Sequence, residues 1–210
     1  MVEGEINALV LCEGKDDKRV LECLLEDMGI VNVEVQSFDG KAKLRQGLVL
    51  LKSSPKYTSG EYGKILITRD ADDNWSSAWD SVRNAVADVL GAHLGDVNQW
   101  TRINEDTRVM AWIFPGKETP GMIESLCLGV AREGDSEAFQ CMDDYAECLE
   151  RNHQAVLHEK SRFAIWTISA QTGENARKFW DFKKVLKQLP FNWKSGRFQE
   201  TREVLANLAG

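Results

Sequence analysis

The chain has 210 residues with a formal net charge of −7, 43% hydrophobic and 28% charged residues, values that suit one α/β-sized domain or one domain with a modest appendage. The acidic balance argues against broad, sequence-independent nucleic-acid binding through a basic surface. Any such substrate is instead expected to be held by few contacts, by a homodimer or by a partner protein. No stretch approaches the roughly 18 apolar residues of a membrane span, and the start MVEGEINALV has neither a basic n-region nor a long apolar h-region. No membrane association and a cytoplasmic location are therefore expected. The five cysteines, Cys12, Cys23, Cys127, Cys141 and Cys148, form no CxxC pair. They read as reduced thiols rather than a disulfide framework or a zinc site.

The predicted elements alternate along the chain. Ile6 to Cys12 is a short apolar run, a buried-strand signal that stops at Glu13-Gly14. From Asp16 to Met28, Val20, Cys23, Leu24 and Met28 fall at helical spacing, and Gly29 ends the helix. Val31 to Val35 alternates as a second strand. A turn at Phe38-Asp39-Gly40-Lys41 and a helix over Leu44 to Lys52 follow. Lys64 to Thr68 is another buried strand, running into Arg69-Asp70-Ala71-Asp72-Asp73-Asn74. The helix after it carries Trp75, Trp79, Val82 and Val86 on one stripe. Arg108 to Phe114 is a further strand, and Pro120-Gly121 opens a helix through Met122, Ile123, Leu126 and Cys127. Beyond Gly134 the pattern turns helical: Ser136 to Asn152, Asn175 to Leu189 and Gly196 to Leu208. Phe163 to Ser169 reads equally as buried helix or strand.

Strands alternating with helices imply an α/β fold with a mainly parallel sheet covered on both faces. We expect residues 1–130 to form this domain and residues 131–210 a helical extension packed on it. Ligands of such sheets bind beyond the carboxyl ends of the strands, where the acidic residues lie. Glu13 and Asp17 follow the first strand, Asp70 and Asp72 a later one, and Glu124 the last. Carboxylates from separate strand ends can converge on Mg2+, or on Mn2+, which prefer hard oxygen ligands. In Asp70-Ala71-Asp72 the two acids share a side if extended geometry continues. The competing interpretation is that Asp16, Asp17, Asp72 and Asp73 merely cap helix N-termini. Lys15 and Lys117 are candidate phosphate contacts, and Arg69 either pairs with a neighbouring aspartate or holds substrate. Tyr57 and Tyr62 read as surface loop residues. Gly14-Lys15 lacks the glycine spacing of a P-loop, so ATP hydrolysis by this chain is not expected.

The run Leu9-Val10-Leu11-Cys12-Glu13-Gly14-Lys15-Asp16-Asp17, followed by Ile65-Leu66-Ile67-Thr68-Arg69-Asp70-Ala71-Asp72, resembles the Toprim domain of topoisomerases, primases, RNase M5-type maturases and OLD-family nucleases. The likeness covers about residues 5–128; the tail is similar to that of small stand-alone Toprim proteins. The resemblance implies a Rossmann-like Toprim fold with Glu13 as the motif glutamate and Asp70 and Asp72 as the catalytic, metal-binding aspartates. It also implies Asp17 as the second acid of an OLD-type Glu-x-x-x-Asp pattern, Glu124 as an additional metal ligand, and Gly40 as the glycine after the second strand. Topoisomerase-type members carry a third aspartate where this chain has Asn74, which favours the nuclease-like branch. The expected function is a Mg2+-dependent nuclease or related phosphodiester-acting enzyme on DNA or RNA. The alternative is a metal-binding Toprim module active only with a partner, such as the separate ATPase that OLD-like systems use.

Overall fold

The computed structural model describes residues 7–169 and 191–209. They fall into two compact units, one of residues 1–122 with 200–210, the other of residues 123–199. The predicted helix over Asn175 to Leu189 lies outside the described residues.

In the first unit the strands are β1 (Ala8–Cys12), β2 (Val33–Ser37), β3 (Lys64–Asp70), β4 (Thr101–Arg102) and β5 (Arg108–Phe114). They form one sheet in the order β2-β1-β3-β5-β4. β1 pairs in parallel with β2 and β3, and β3 with β5; only the two-residue edge strand β4 is antiparallel. β4 had no sequence signal, because two residues show no periodicity. The register sets Leu9 against Ile65 and Ile65 against Val109. Every residue of β1 is buried, as are the last six of β5. Burial on both faces explains why these strands read as continuous apolar runs rather than alternating ones. Each fully buried Leu, Ile or Val side chain contributes roughly 1.5–3 kcal/mol.

Helices α1 (Lys15–Asp27), α2 (Leu44–Lys52), α3 (Pro55–Thr58) and α4 (Trp75–Leu90) connect the strands. Leu9, Leu11, Ile65, Ile67, Val109, Ala111 and Ile113 join Leu44, Leu48 and Leu51 of α2 and Ala78, Val82 and Val86 of α4 in one apolar cluster. The buried Val20, Leu21 and Leu24 of α1 stand outside that cluster. The chain thus leaves β1 toward β2 on one side and leaves β3 toward β5 on the other. This doubly wound, Rossmann-like order creates a switch point between the carboxyl ends of β1 and β3, where open α/β sheets bind ligands. Tyr62, expected on a surface loop, is buried, and its hydroxyl donates to Glu34 Oε2 at 2.8 Å. Burial and this bond push the phenol well above its ordinary range, which removes it as a nucleophile at neutral pH. The terminal segment returns to this unit: Arg202 Nη1 meets Asp27 Oδ2 at 2.7 Å, and Lys64 Nζ donates to the Asn207 carbonyl at 2.8 Å.

The second unit contains α5 (Ile123–Gly134), α6 (Ser136–His153) and α7 (Glu159–Ser169) and a 3₁₀ turn at Gly196–Phe198; α8 (Gln199–Ala206) belongs to the first unit from Glu200 onward. The ambiguous Phe163 to Ser169 run is helical. Its Phe163 and Trp166 rings stack 6.0 Å apart, and Trp166 meets Phe191 at 5.8 Å. An aromatic core of this kind needs no β partner, and that decides between two patterns the short run fitted equally.

Candidate metal centre

Asp17 is placed by the short connection from β1 to α1. Gly14 is the N-cap residue in extended conformation, with φ −124° and ψ 171°, and its N–H donates to Asp17 Oδ2 at 2.7 Å. The carboxylate therefore folds back toward the strand end, and the positive end of the α1 dipole favours its charge. Asp17 is only 3% exposed. The capping interpretation is thus correct for Asp17, and it does not compete with ligation, because a carboxylate has a second oxygen and spare lone pairs.

Asp70 is the last residue of β3, opposite Phe114 in the register with β5, and is 2% exposed. Asp17 and Asp70 offer carboxylate oxygens within 4.8 Å of each other. Two buried carboxylates this close repel strongly in a medium less polar than water. A divalent cation between them turns that repulsion into attraction, and the all-oxygen donor set is the one Mg2+ and Mn2+ take. The pair lies across the β1/β3 switch point, so the residues present fit a hard cation.

The rest of the acidic set is arranged differently from the simple expectation. Extended geometry stops after Asp70. The Ala71 N–H still bonds the Phe114 carbonyl at 2.9 Å, but Asp72 turns to φ 49°. Asp70 and Asp72 consequently do not present a shared side: Asp72 Oδ2 is half-exposed and accepts from Lys41 Nζ at 2.9 Å. The Asp72 carbonyl accepts the Gly121 N–H at 2.7 Å. Gly121 precedes Glu124 by three residues, so the loop after β5 is tied to the end of β3. Glu124 is the second residue of α5 and is buried, with Oε1 3.8 Å from Lys160 Nζ of the same unit. Glu13 follows β1 directly, and its Oε2 lies 3.7 Å from Arg69 Nε. Asn74 is the N-cap of α4, accepting the Ser77 N–H at 2.9 Å. A cap needs an acceptor and no charge, which accounts for asparagine where a third aspartate was looked for. Lys15 and Lys117 are both exposed.

Lys41 is the residue that sequence reasoning missed. It stands in the turn after β2, which is held to the end of β1 by Phe38 N–H to the Cys12 carbonyl at 3.0 Å and Gly40 N–H to the Glu13 carbonyl at 2.9 Å. Its only sequence signal was the Asp39-Gly40-Lys41 turn. Gly40, at φ 108°, adopts a conformation that side-chain-bearing residues avoid. The hydrogen bond it donates to Asp72 holds the Lys41 ammonium above its ordinary range. Cys12, buried beneath the site, donates to the Gln36 carbonyl at 3.3 Å. Burial, and secondarily the Asp17 charge, push its thiol far above the usual range, so it is no nucleophile.

The family described as "Protein of unknown function (DUF3226)" matches residues 7–209. The chain belongs to this family. No curated protein and no solved structure matches it. The DUF3226 match runs through Asp17 and Asp70, so the candidate centre lies inside the family's part of the chain. Among the described residues, no helix is long and apolar enough to cross a membrane.

Proposed function

We propose that this DUF3226 chain is a Mg2+-dependent enzyme acting on phosphodiesters, a nuclease of the Toprim kind, with Asp17 and Asp70 as the cation's protein ligands. The observation that carries the reading is the buried approach of Asp17 and Asp70 within 4.8 Å at the switch point of the sheet. A bound Mg2+, or Mn2+, would polarise a phosphoryl oxygen and lower the pKa of a coordinated water. The protein's own share is orientation. The α1 cap fixes Asp17, the β3–β5 ladder fixes Asp70, and Glu13, next to Arg69, is the carboxylate placed to move a proton.

The substrate in this reading is DNA or RNA. With a net charge of −7 the chain supplies little non-specific attraction, so a homodimer or a partner ATPase is proposed to present the nucleic acid. A cytoplasmic setting fits five cysteines that form no CxxC pair.

Isothermal titration calorimetry with Mg2+ and Mn2+, on wild type and on Asp70→Asn, tests the centre. Binding by the wild type that is lost in the variant, together with metal-dependent cleavage of a DNA or RNA panel, is the expected result. Cleavage that continues undiminished in Asp70→Asn would exclude this mechanism.

A further inference from the structure

Arg69 is the penultimate residue of β3 and neighbours Asp70, yet its side chain emerges on the other face of the strand, in line with Ile65 and Ile67. The side chain is 12% exposed. Its Nε and Nη1 are fully buried and have no hydrogen-bond acceptor among the described residues. Glu13 stands near, but at 3.7 Å from Nε it is an ionic neighbour and not a bonded one. Lys41, by contrast, is satisfied by its 2.9 Å bond to Asp72. A guanidinium carries five donors in a planar fork, and buried donors of a charged group are costly to leave unmade. Of Arg69 and Lys41, Arg69 is therefore the one built for an acceptor that the described residues do not provide.

We propose that Arg69 is the oxyanion anchor of this site, its Nε and Nη1 donors taking phosphoryl oxygens of the substrate at the carboxyl end of β3. The proposal deepens the phosphodiester reading and rests on it for the identity of the ligand. Three features support it. The fork matches a phosphoryl group in two parallel hydrogen bonds, which a lysine cannot reproduce. The position next to Asp70 in sequence puts the anchor at the same strand end as the cation ligand, where phosphoryl chemistry needs both. The long separation from Glu13 means that an incoming oxyanion displaces no hydrogen bond between the two. Lys41, exposed and already bonded, adds positive charge at the rim and is not the anchor.

The probe is inorganic phosphate, titrated calorimetrically at low ionic strength into wild type, Arg69→Lys, Arg69→Gln and Lys41→Ala, once in EDTA and once in saturating Mg2+. Mg2+ binding is measured separately on each protein. The wild type should bind phosphate, more tightly with Mg2+ present. Arg69→Gln should lose tenfold or more in affinity, and Arg69→Lys, which keeps the charge and guards against misfolding, a large part of that. Lys41→Ala should stay within threefold of wild type, and all four should bind Mg2+. Phosphate affinity in both Arg69 variants within twofold of wild type, or no phosphate binding by wild type in either condition, overturns the anchor. Phosphate binding without Mg2+ binding leaves the anchor standing and removes the cation reading; Mg2+ binding without phosphate binding does the reverse.

Discussion

Asp17 and Asp70 bring carboxylate oxygens within 4.8 Å of each other although they leave the sheet from different strands, one from the first turn of α1 and the other from the end of β3. Nothing local requires the approach; the parallel pairing of β1 with β3 creates it. Removing one charge should relieve repulsion in the metal-free protein. Asp70→Asn is thus expected to be at least as stable as wild type without metal. With Mg2+ at about 100 times its Kd, the wild type should gain about 2.7 kcal/mol of stability while the variant gains almost none. Thermal melts in EDTA and in Mg2+ measure both halves.

Asp72 and Asn74 should behave unlike Asp70. Asp72 is half-exposed and bonded to Lys41, so Asp72→Ala should keep Mg2+ affinity within about fivefold of wild type. Asn74→Ala removes the α4 cap and should cost about 1 kcal/mol without altering metal affinity. Calorimetric titration with Mg2+ beside urea denaturation separates the two effects.

Glu34 receives hydrogen bonds from Lys56 Nζ at 2.7 Å, Gln36 Nε2 at 2.8 Å and the Tyr62 hydroxyl at 2.8 Å. Partial burial raises its pKa, but these three donors together outweigh burial and bring the carboxyl below its ordinary value of 4.5. A depressed acid stabilises the fold above its unfolded pKa, and that contribution is lost as pH falls through the folded value. Glu34→Gln should therefore cost roughly 1–2 kcal/mol at pH 7. The gap from wild type should close below pH 4.5, as urea titrations across pH would show.

Gly47 lies inside α2, where alanine ordinarily stabilises by about 1 kcal/mol. Here a Cβ would stand 2.6 Å from Phe38 Cβ, and Phe38 is buried in the core. Gly47→Ala should therefore destabilise, by roughly 1–3 kcal/mol. A higher denaturation midpoint for the variant would contradict the packing described for Phe38.

The strands and helices that form the site were legible because their cause is local. β5 was readable over Arg108–Phe114 as an unbroken apolar run and α2 over Leu44–Lys52 by its helical period, since burial marks consecutive residues. Glu13, Asp17, Asp70, Asp72 and Glu124 could likewise be nominated as acids following strands. Which of them meet could not be read. Asp70 and Asp72 looked like the natural pair, two apart on an assumed extended chain, until the left-handed turn at Asp72 sent its side chain to Lys41. The meeting of Asp17 with Asp70, and the buried donors that Arg69 presents, depend on strand order and on contacts between residues far apart in the chain. The sequence alone determined the parallel α/β scaffold and an acidic rim at its strand ends, because periodicity and turn chemistry act over a few residues. Only the tertiary structure decided which carboxylates converge, because strand pairing is settled by burial of the whole sheet and leaves no mark at either residue.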